Sequence, residues 1–579
     1  MKTLFRNLAI TARAVGSQLS EDPARFILLA AQRFPRALTG PVATALDRCG
    51  SLGVAYAAWM RGDRAGALAE VRATRHTAGL RLRVAANLAV AADDPATMVL
   101  EDYRRPTPAL SVLRARSLWQ QGDLQGAIAS LRGTRSHVGR KYLQMLESEL
   151  RILTPGYELA TASESRPHVH PISPTRSLHI LTNSLPHTQS GYTLRSHSIL
   201  TALHRAGAEV VAATRTGYPV TVGKLRARSL DIVDDIAYHR VLPWRMGATV
   251  EARLNQQVRE LDKLVEAFRP AVIHTTSNYT NALVAQAVAA RHGLPWTYEV
   301  RGMLEKTWAA SRGTLEAREI AAASERFRIV RAREAELATA ASHVFTISDT
   351  MRDDLAERGV DRRQISLIPN SIDASLLGST TAPASARIQL GLASDGFWVG
   401  AVSSLVDYEG HDLLVDAVSI LRERGLDVRL LLVGEGVARP ELLRSAATLG
   451  EAAVIPGRVA PDLAKTYVEA LDVVVVPRRD LEVTRSVTPL KPMEAMALGR
   501  PVVVSALPPL RELVGDDERG LVVAPDSARS IADALAMLID DAPRRHRLVT
   551  AAKQFASSHT WDAVTAEYQR VFAGLRAAS

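Results

Sequence analysis

A single cysteine, Cys49, stands in 579 residues, so no intrachain disulfide and no thiolate metal cluster can hold this chain together. That usage fits a reducing cytoplasm, and the expected place of Cys49 is a gap in a core. Aromatic residues make up only 5%. No aromatic-basic motif accompanies the arginines, which are spread along the whole sequence, so no nucleic-acid partner is expected. Uncharged apolar runs of about 18 residues are missing, which excludes a helix spanning a bilayer. The opening segment, MKTLFRNLAITARAVGSQL, is basic but broken by Arg6, Asn7 and Arg13, which argues against a signal peptide. Its Leu4, Leu8, Ile10 and Val15 line one helical face, suited to packing on a neighbouring helix or to peripheral membrane contact with anionic lipid. Metal signatures are also scarce. His168 and His170 alternate like a ligand pair without a third ligand nearby, and no metal is expected.

What is present is core material and positive charge. An apolar content of 47% over this length implies two to four domains, and the net charge of +10 suits polyanionic partners. From residue 1 to 153 the pattern is helical and contains a repeat. Trp59-Met60-Arg61-Gly62-Asp63-Arg64-Ala65-Gly66-Ala67-Leu68 returns as Trp119-Gln120-Gln121-Gly122-Asp123-Leu124-Gln125-Gly126-Ala127-Ile128, with a worn copy midway at Ala89, Asp93 and Thr97. Such a period means stacked helical hairpins. Gly-Asp marks the turn, Asp63 and Asp123 cap the next helix, and the small residues behind them let paired helices approach. The segment resembles tetratricopeptide repeats, which implies either a rigid appendage or a concave docking surface for a protein or a polymer. Residues 154–176, crowded with Pro, Ser and Thr, read as a linker.

From Leu178 onward strand and helix patterns alternate as in a doubly wound α/β chain, with strands at Leu178–Thr182, Glu209–Thr214, Ala271–Thr275, Trp296–Val300 and Val344–Ile347. A second set begins at Phe397. Most telling is Val473–Ser505, a strand, a polar loop, a helix opening at Lys491-Pro492-Met493-Glu494 and a second strand. Ligands of parallel sheets sit beyond the carboxyl ends of strands. A helix N-terminus with Lys491 suits a diphosphate, and Glu494 in its first turn suits the vicinal hydroxyls of a ribose.

These residues resemble the family-4 glycosyltransferases of the GT-B fold, over about 400 residues from Arg176. The resemblance implies two Rossmann-like domains facing a cleft, preceded here by an all-α solenoid-like domain. Residues 177–375, with a C-terminal helix at 561–579 packed back across the pair, form the acceptor domain, and 376–560 the nucleotide-sugar domain. It also implies a retaining, metal-independent transfer of a sugar from a UDP- or GDP-linked donor to a cell-envelope glycan, lipid-linked oligosaccharide or similar acceptor, in the cytoplasm or peripherally at a membrane, with no cofactor. Gly191 falls where the family has its glycine-rich acceptor-side loop, with Arg195 and His197 near the cleft. Arg301 falls where many members have a histidine, and Glu299 is expected to fix it bidentately. Pro369-Asn370-Ser371 matches the hinge. Gly434, Gly436, Arg458, Val459, Thr488 and Leu490 match donor-side turns.

Departures from the family pattern are equally plain. Ser404 and Glu409 stand where an arginine and a lysine grip the donor diphosphate, and Ser486 replaces the first of two glutamates. Arg478, Arg479, Arg485 and Lys491, in the loop facing that turn, are the expected replacements. Arg301, Lys491 and Glu494 are the candidate catalytic residues. The alternative reading is a non-catalytic interaction protein with a degenerate nucleotide site.

Overall fold

The β-branched runs after the linker assemble into two sheets in the computed structural model, which describes residues 2–21, 36–73, 79–91, 108–160, 171–379 and 381–577. The first sheet contains β1 (Ser177–Leu181), β2 (Val210–Thr214), β3 (Leu230–Val233), β4 (Ile236–Arg240), β5 (Val272–Thr276), β6 (Trp296–Val300), β7 (His343–Thr346) and β8 (Ile365–Leu367). Their order is β3-β4-β2-β1-β5-β6-β7-β8, parallel except for the β3–β4 hairpin. The second sheet contains β9 (Phe397–Val402), β10 (Val428–Val433), β11 (Ala453–Gly457), β12 (Val473–Val476), β13 (Val502–Ser505) and β14 (Leu521–Val523), in the order β11-β10-β9-β12-β13-β14, all parallel. Strands such as β1, β5, β6 and β12 are buried along their whole length, as parallel strands covered by helices on both faces must be. Each sheet lies between two apolar layers of its own.

The hairpin and β8 escape the strand reading above. Asp234 and Asp235 make the hairpin turn at φ 48° and 64°, and alternating Leu230, Ile232, Ile236 and Tyr238 flank it. That two-residue turn between alternating runs was the available signal.

The helix Trp561–Ala577 packs on the helix Gly191–Arg205, burying Trp561, Tyr568, Val571 and Phe572 with Ile199 and Phe345 in a core of the first lobe. Its entry is stitched to the hinge: the Ile372 N–H donates to His559 O and the Trp561 N–H to Ile372 O.

In the helical region the two repeat turns are built alike. Gly62 and Gly122 both have φ 88°, and their N–H groups donate to Trp59 O and Trp119 O. The Gly66 and Gly126 N–H groups donate to Asp63 Oδ1 at 2.9 Å and Asp123 Oδ1 at 2.7 Å. A Cβ on Gly66 or Gly126 would collide with the capping carboxylate. Those glycines therefore make room for the cap and not, as the sequence suggested, for a neighbouring helix. The midway copy, at Asp93 and Thr97, lies outside the described residues, as do His168 and His170. Cys49 is exposed just ahead of the helix Gly50–Arg61, contrary to the expected core place, because the chain uses it at a helix boundary.

The second turn is docked on the first lobe. Glu325 Oε2 accepts from the Leu124 N–H at 2.9 Å and the Gln125 N–H at 3.0 Å, satisfying two orphan donors of that helix. The Arg326 guanidinium lies between the rings of Trp119 and Trp308, 4.2 and 5.0 Å from their centroids. Buried Arg333 donates to Ile152 O and Tyr157 O. The helical region is thus continuous with the lobe at this end.

Glu334, on the same helix as Arg333, is buried and accepts from the Tyr279 N–H at 2.7 Å and from the Tyr298 hydroxyl. Burial nevertheless pushes its carboxyl up to about 7 from an ordinary 4.5. Between those values the folded chain holds a proton that the unfolded chain has released. Its contribution is therefore full below the unfolded value and is lost as pH rises through the folded one. Glu334→Gln should remove that loss, gaining about 3 kcal/mol over the parent near pH 8 and little near pH 4. Melting temperatures of both proteins across this range check it.

Candidate active site

Charged side chains collect where the two lobes meet, at the carboxyl ends of β6 and β12. On the first lobe the centre is Glu299, the penultimate residue of β6, with no solvent exposure. Arg195 grips Oε1 through Nε at 3.1 Å and Nη2 at 2.8 Å, while Arg301 donates to Oε2 at 2.6 Å. His274 Nε2 lies 3.3 Å from Oε2. Arg195 thus places two donors on one oxygen and Arg301 makes a single bond to the other, so the expected bidentate pair of Glu299 with Arg301 is not formed. Burial would raise the Glu299 carboxyl, but the Arg301 and Arg195 guanidiniums and the His274 hydrogen bond hold it well below the usual carboxylate range. His274 is pushed below its ordinary value by burial, so its contact is that of a neutral imidazole. Two guanidiniums share one carboxylate, which leaves a net positive charge at this strand end.

Arg301 is further fixed by Ser196 Oγ at 2.6 Å, and its Nε is buried with no hydrogen-bond partner. A Cβ on Gly302 would meet the hydroxyl end of the half-exposed Tyr192 at 2.5 Å. Arg195 does not face the cleft. It is 3% exposed and also donates to Ile368 O, Pro369 O and Asn370 Oδ1, because the carbonyls of the hinge converge on it. His197 turns the other way, to Tyr238 and Asp234. Gly191 is the first residue of its helix, behind a Ser190–Thr193 capping box. Neither a positive φ nor a neighbour within 4 Å demands glycine there.

On the second lobe the turns after β9, β10 and β11 are knitted together. A Cβ on Gly434 would collide with Ser403 O, and one on Gly436 with Leu405 O, so these glycines serve a close approach of two backbones. Ser404 and Arg458 are exposed beside them, and Val459 is half-buried against the core. In the loop after β12, Asn370 Nδ2 donates to Thr488 O at 2.9 Å, while Thr488 Oγ1 is buried without a partner. Leu490 directs its side chain into the first lobe's core, and Val487 packs against that lobe too. Lys491 opens the helix Lys491–Ala497, and its Nζ donates to Glu494 Oε2 at 2.8 Å.

Of the replacement arginines Arg478 and Arg479 face the turn after β9 and Arg485 stays with its own loop, and each is tied to a carboxylate. Arg478 donates to Glu409 through Nε at 3.1 Å and Nη2 at 2.7 Å and to Val487 O at 2.8 Å. Arg479 pairs with Asp412 and Asp526, and Arg485 with Asp480. Glu409 is the reason Arg478 adds no net charge: both are nearly buried, and a buried charge recruits its opposite. Lys306, which sequence reasoning missed, reaches across from the first lobe to Ser486 Oγ at 2.8 Å and also holds Asp354 at 3.1 Å. Its signal was its place in the first turn of the helix after Arg301-Gly302.

Two family models match the chain in succession: the glycosyl transferase 4-like domain over residues 190–371 and glycosyl transferases group 1 over residues 396–541. D-inositol 3-phosphate glycosyltransferase of Corynebacterium aurimucosum is 34% identical over 197 residues, which are 32% of this chain and 45% of that protein. Its counterpart in Xylanimonas cellulosilytica is 31% identical over 230 residues, 37% and 52% respectively. This chain therefore spans about half the length of the curated relatives it matches. Among solved structures, the sucrose-phosphate synthase of Thermosynechococcus elongatus superposes with a TM-score of 0.57 at 21% identity, over 70% of this chain and 100% of that one. Anabaena Alr3699/HepE in complex with UDP-glucose gives 0.51 at 16% identity, over 69% and 100%. The fold is GT-B, and the two lobes carry glycosyltransferase-type domains in the expected order.

The Arg478–Glu409 pair can be tested directly. Arg478→Met should cost about 3 kcal/mol by stranding the Glu409 carboxylate, whereas adding Glu409→Gln should recover most of it. Denaturant unfolding of the parent, both single variants and the double variant checks the cycle.

Proposed function

We propose that this chain is a retaining glycosyltransferase moving a sugar from a nucleotide-diphosphate donor to a glycan or lipid-linked acceptor. The observation that carries the reading is the helix start at Lys491, with Glu494 beside it, at the carboxyl end of β12 and against the hinge. In this reading the Lys491 ammonium and Thr488 Oγ1 hold the diphosphate at the helix start, where Pro492 has no N–H and the Met493 N–H is already given to Leu490 O. Glu494 takes the ribose hydroxyls, and Ser404, Gly434, Arg458, Val459 and the Leu490 backbone shape the donor side. Across the cleft, Gly191 and Arg301 stand on the acceptor side. The leaving phosphate oxygen takes the acceptor proton, and the cationic surroundings stabilise charge growing on the diphosphate. The donor is UDP- or GDP-linked; HepE, solved with UDP-glucose, supports the former. The inositol phosphate named for the relatives and the sugar phosphate of the synthase support a polar acceptor.

The division into a helical array at 1–153, a linker at 154–176, an acceptor domain at 177–375 with 561–579 and a donor domain at 376–560 belongs to the same proposal. So does the tetratricopeptide-like array as a seat for a protein partner. A second reading, an interaction protein with a degenerate nucleotide site, draws on the internal neutralisation of Arg478, Arg479 and Arg485.

A panel of UDP- and GDP-sugars separates the two. One donor at a hundred times its dissociation constant should stabilise the chain by about 2.7 kcal/mol in a thermal-shift assay, and hydrolysis or transfer of its sugar by the purified chain is expected of the enzyme and not of the rival, which binds a nucleotide or nothing. Glu494→Ala and Lys491→Ala should each lower turnover of that donor by about a hundredfold or more while leaving the melting temperature of the unliganded chain nearly unchanged.

A further inference from the structure

The helix Lys2–Glu21 uses only part of its surface to join the first lobe. Asn7 is fully buried, and its Nδ2 donates to Leu225 O at 2.9 Å and Ala227 O at 2.8 Å. Ile10, a turn further on, enters a small core with Val220, Ala227 and Leu242. Phe5, Leu4 and Leu8 are left 65%, 46% and 43% exposed.

Both loops that complete this small core also present apolar tips to solvent. They leave the carboxyl ends of β2 and β4, the edge of the sheet on which Gly191 and Arg301 stand. Val222 is 45% exposed on the first loop and Trp244 57% on the second. Cations alternate with them. Along the first loop Leu225 and Ala227 turn inward while Lys224, Arg226 and Arg228 are exposed, and Arg245 is exposed beside Trp244. None of these four cations is paired with a carboxylate among the described residues, unlike the arginines of the second lobe. Of the acids of the edge hairpin, Asp231 is engaged by Arg240 and His187 and Asp234 by His197, which leaves only Asp235, exposed at the turn, against four cations.

We infer that this helix and these two loops form a surface that docks the first lobe on an anionic lipid bilayer. Separate apolar tips, one of them a tryptophan, enter the headgroup boundary, and the cations between them meet lipid phosphates. A soluble polyanion would use the cations and leave the exposed Phe5 and Leu8 unexplained; a protein partner would use the apolar tips and leave four unpaired cations. The bilayer satisfies both. Resting on the glycosyltransferase reading above, docking there brings the acceptor side of the cleft next to the membrane, where a lipid-linked acceptor would reside.

Sedimentation of the full chain with vesicles tests this. Binding is expected to vesicles containing roughly 30% phosphatidylglycerol and not to pure phosphatidylcholine, and to weaken as salt is raised. Lys224→Glu/Arg226→Glu/Arg228→Glu should lower the partition coefficient about a hundredfold, and Phe5→Ser/Trp244→Ser about tenfold, with melting temperatures near that of the parent. Equal partition into both vesicle types, or no response to either set of substitutions, overturns the proposal. Heparin binding that follows the charge variants while vesicle binding ignores Phe5 and Trp244 overturns it in favour of a soluble polyanion. Loss of a dimer in the apolar variant, seen by size-exclusion chromatography, without loss of vesicle binding overturns it in favour of a self-interface.

Discussion

A carboxylate with no access to water, Glu299, is the fixed point between the lobes. An isolated charge at that depth would cost far more than the chain's net stability, so it exists only because Arg195 and Arg301 are placed around it. Arg195 then carries the arrangement outward. The guanidinium that neutralises Glu299 also takes the carbonyls of Ile368 and Pro369 and the amide of Asn370, and Asn370 in turn holds Thr488. One hydrogen-bonded line therefore runs from a strand end of the first lobe, through the hinge, to the loop that precedes Lys491. Changes at either end are felt at the other because the groups between them have no water to substitute for a lost partner.

The two sides of the cleft handle charge differently. On the first lobe two cations share one anion, and Arg301 keeps an unused donor. On the second lobe arginines and carboxylates are matched, Arg478 with Glu409, Arg479 with Asp412 and Asp526, Arg485 with Asp480. The diphosphate site proposed there rests on the helix start and Lys491 more than on a cluster of guanidiniums. Lys306, extended from the first lobe onto Ser486, places a cation of one lobe against the loop of the other. In consequence part of the positive charge around the donor loop depends on the lobes being together.

The helical region adds a second coupling. Its second repeat turn is capped by Glu325 and clamped around Arg326, so Trp119 serves docking while Trp59, at the matching position, is buried in the array's own core. Equal local sequence thus serves unequal ends. The Gly-Asp turn determines the hairpin, and what lies against it determines the use.

The sheet order's raw material was legible along the chain: β-branched runs at period-consistent spacing, glycines at the Gly-Asp turns, Asp63 and Asp123 as caps, Lys491 and Glu494 at a helix entry. These are local properties, set by sterics and hydrogen bonding within a few residues. The β3–β4 hairpin was equally local and went unread for want of a long apolar run. What sequence alone could not decide was partnership. Whether Arg478 faces a ligand or Glu409, whether Arg195 lines the cleft or the hinge, and which lobe Leu490 and Lys306 touch depend on residues from 69 to 180 positions away. Charge is a long-range property and is neutralised by whatever the fold brings near, so residue type fixed which groups carry charge, and only the tertiary structure decided which of them remained free to act.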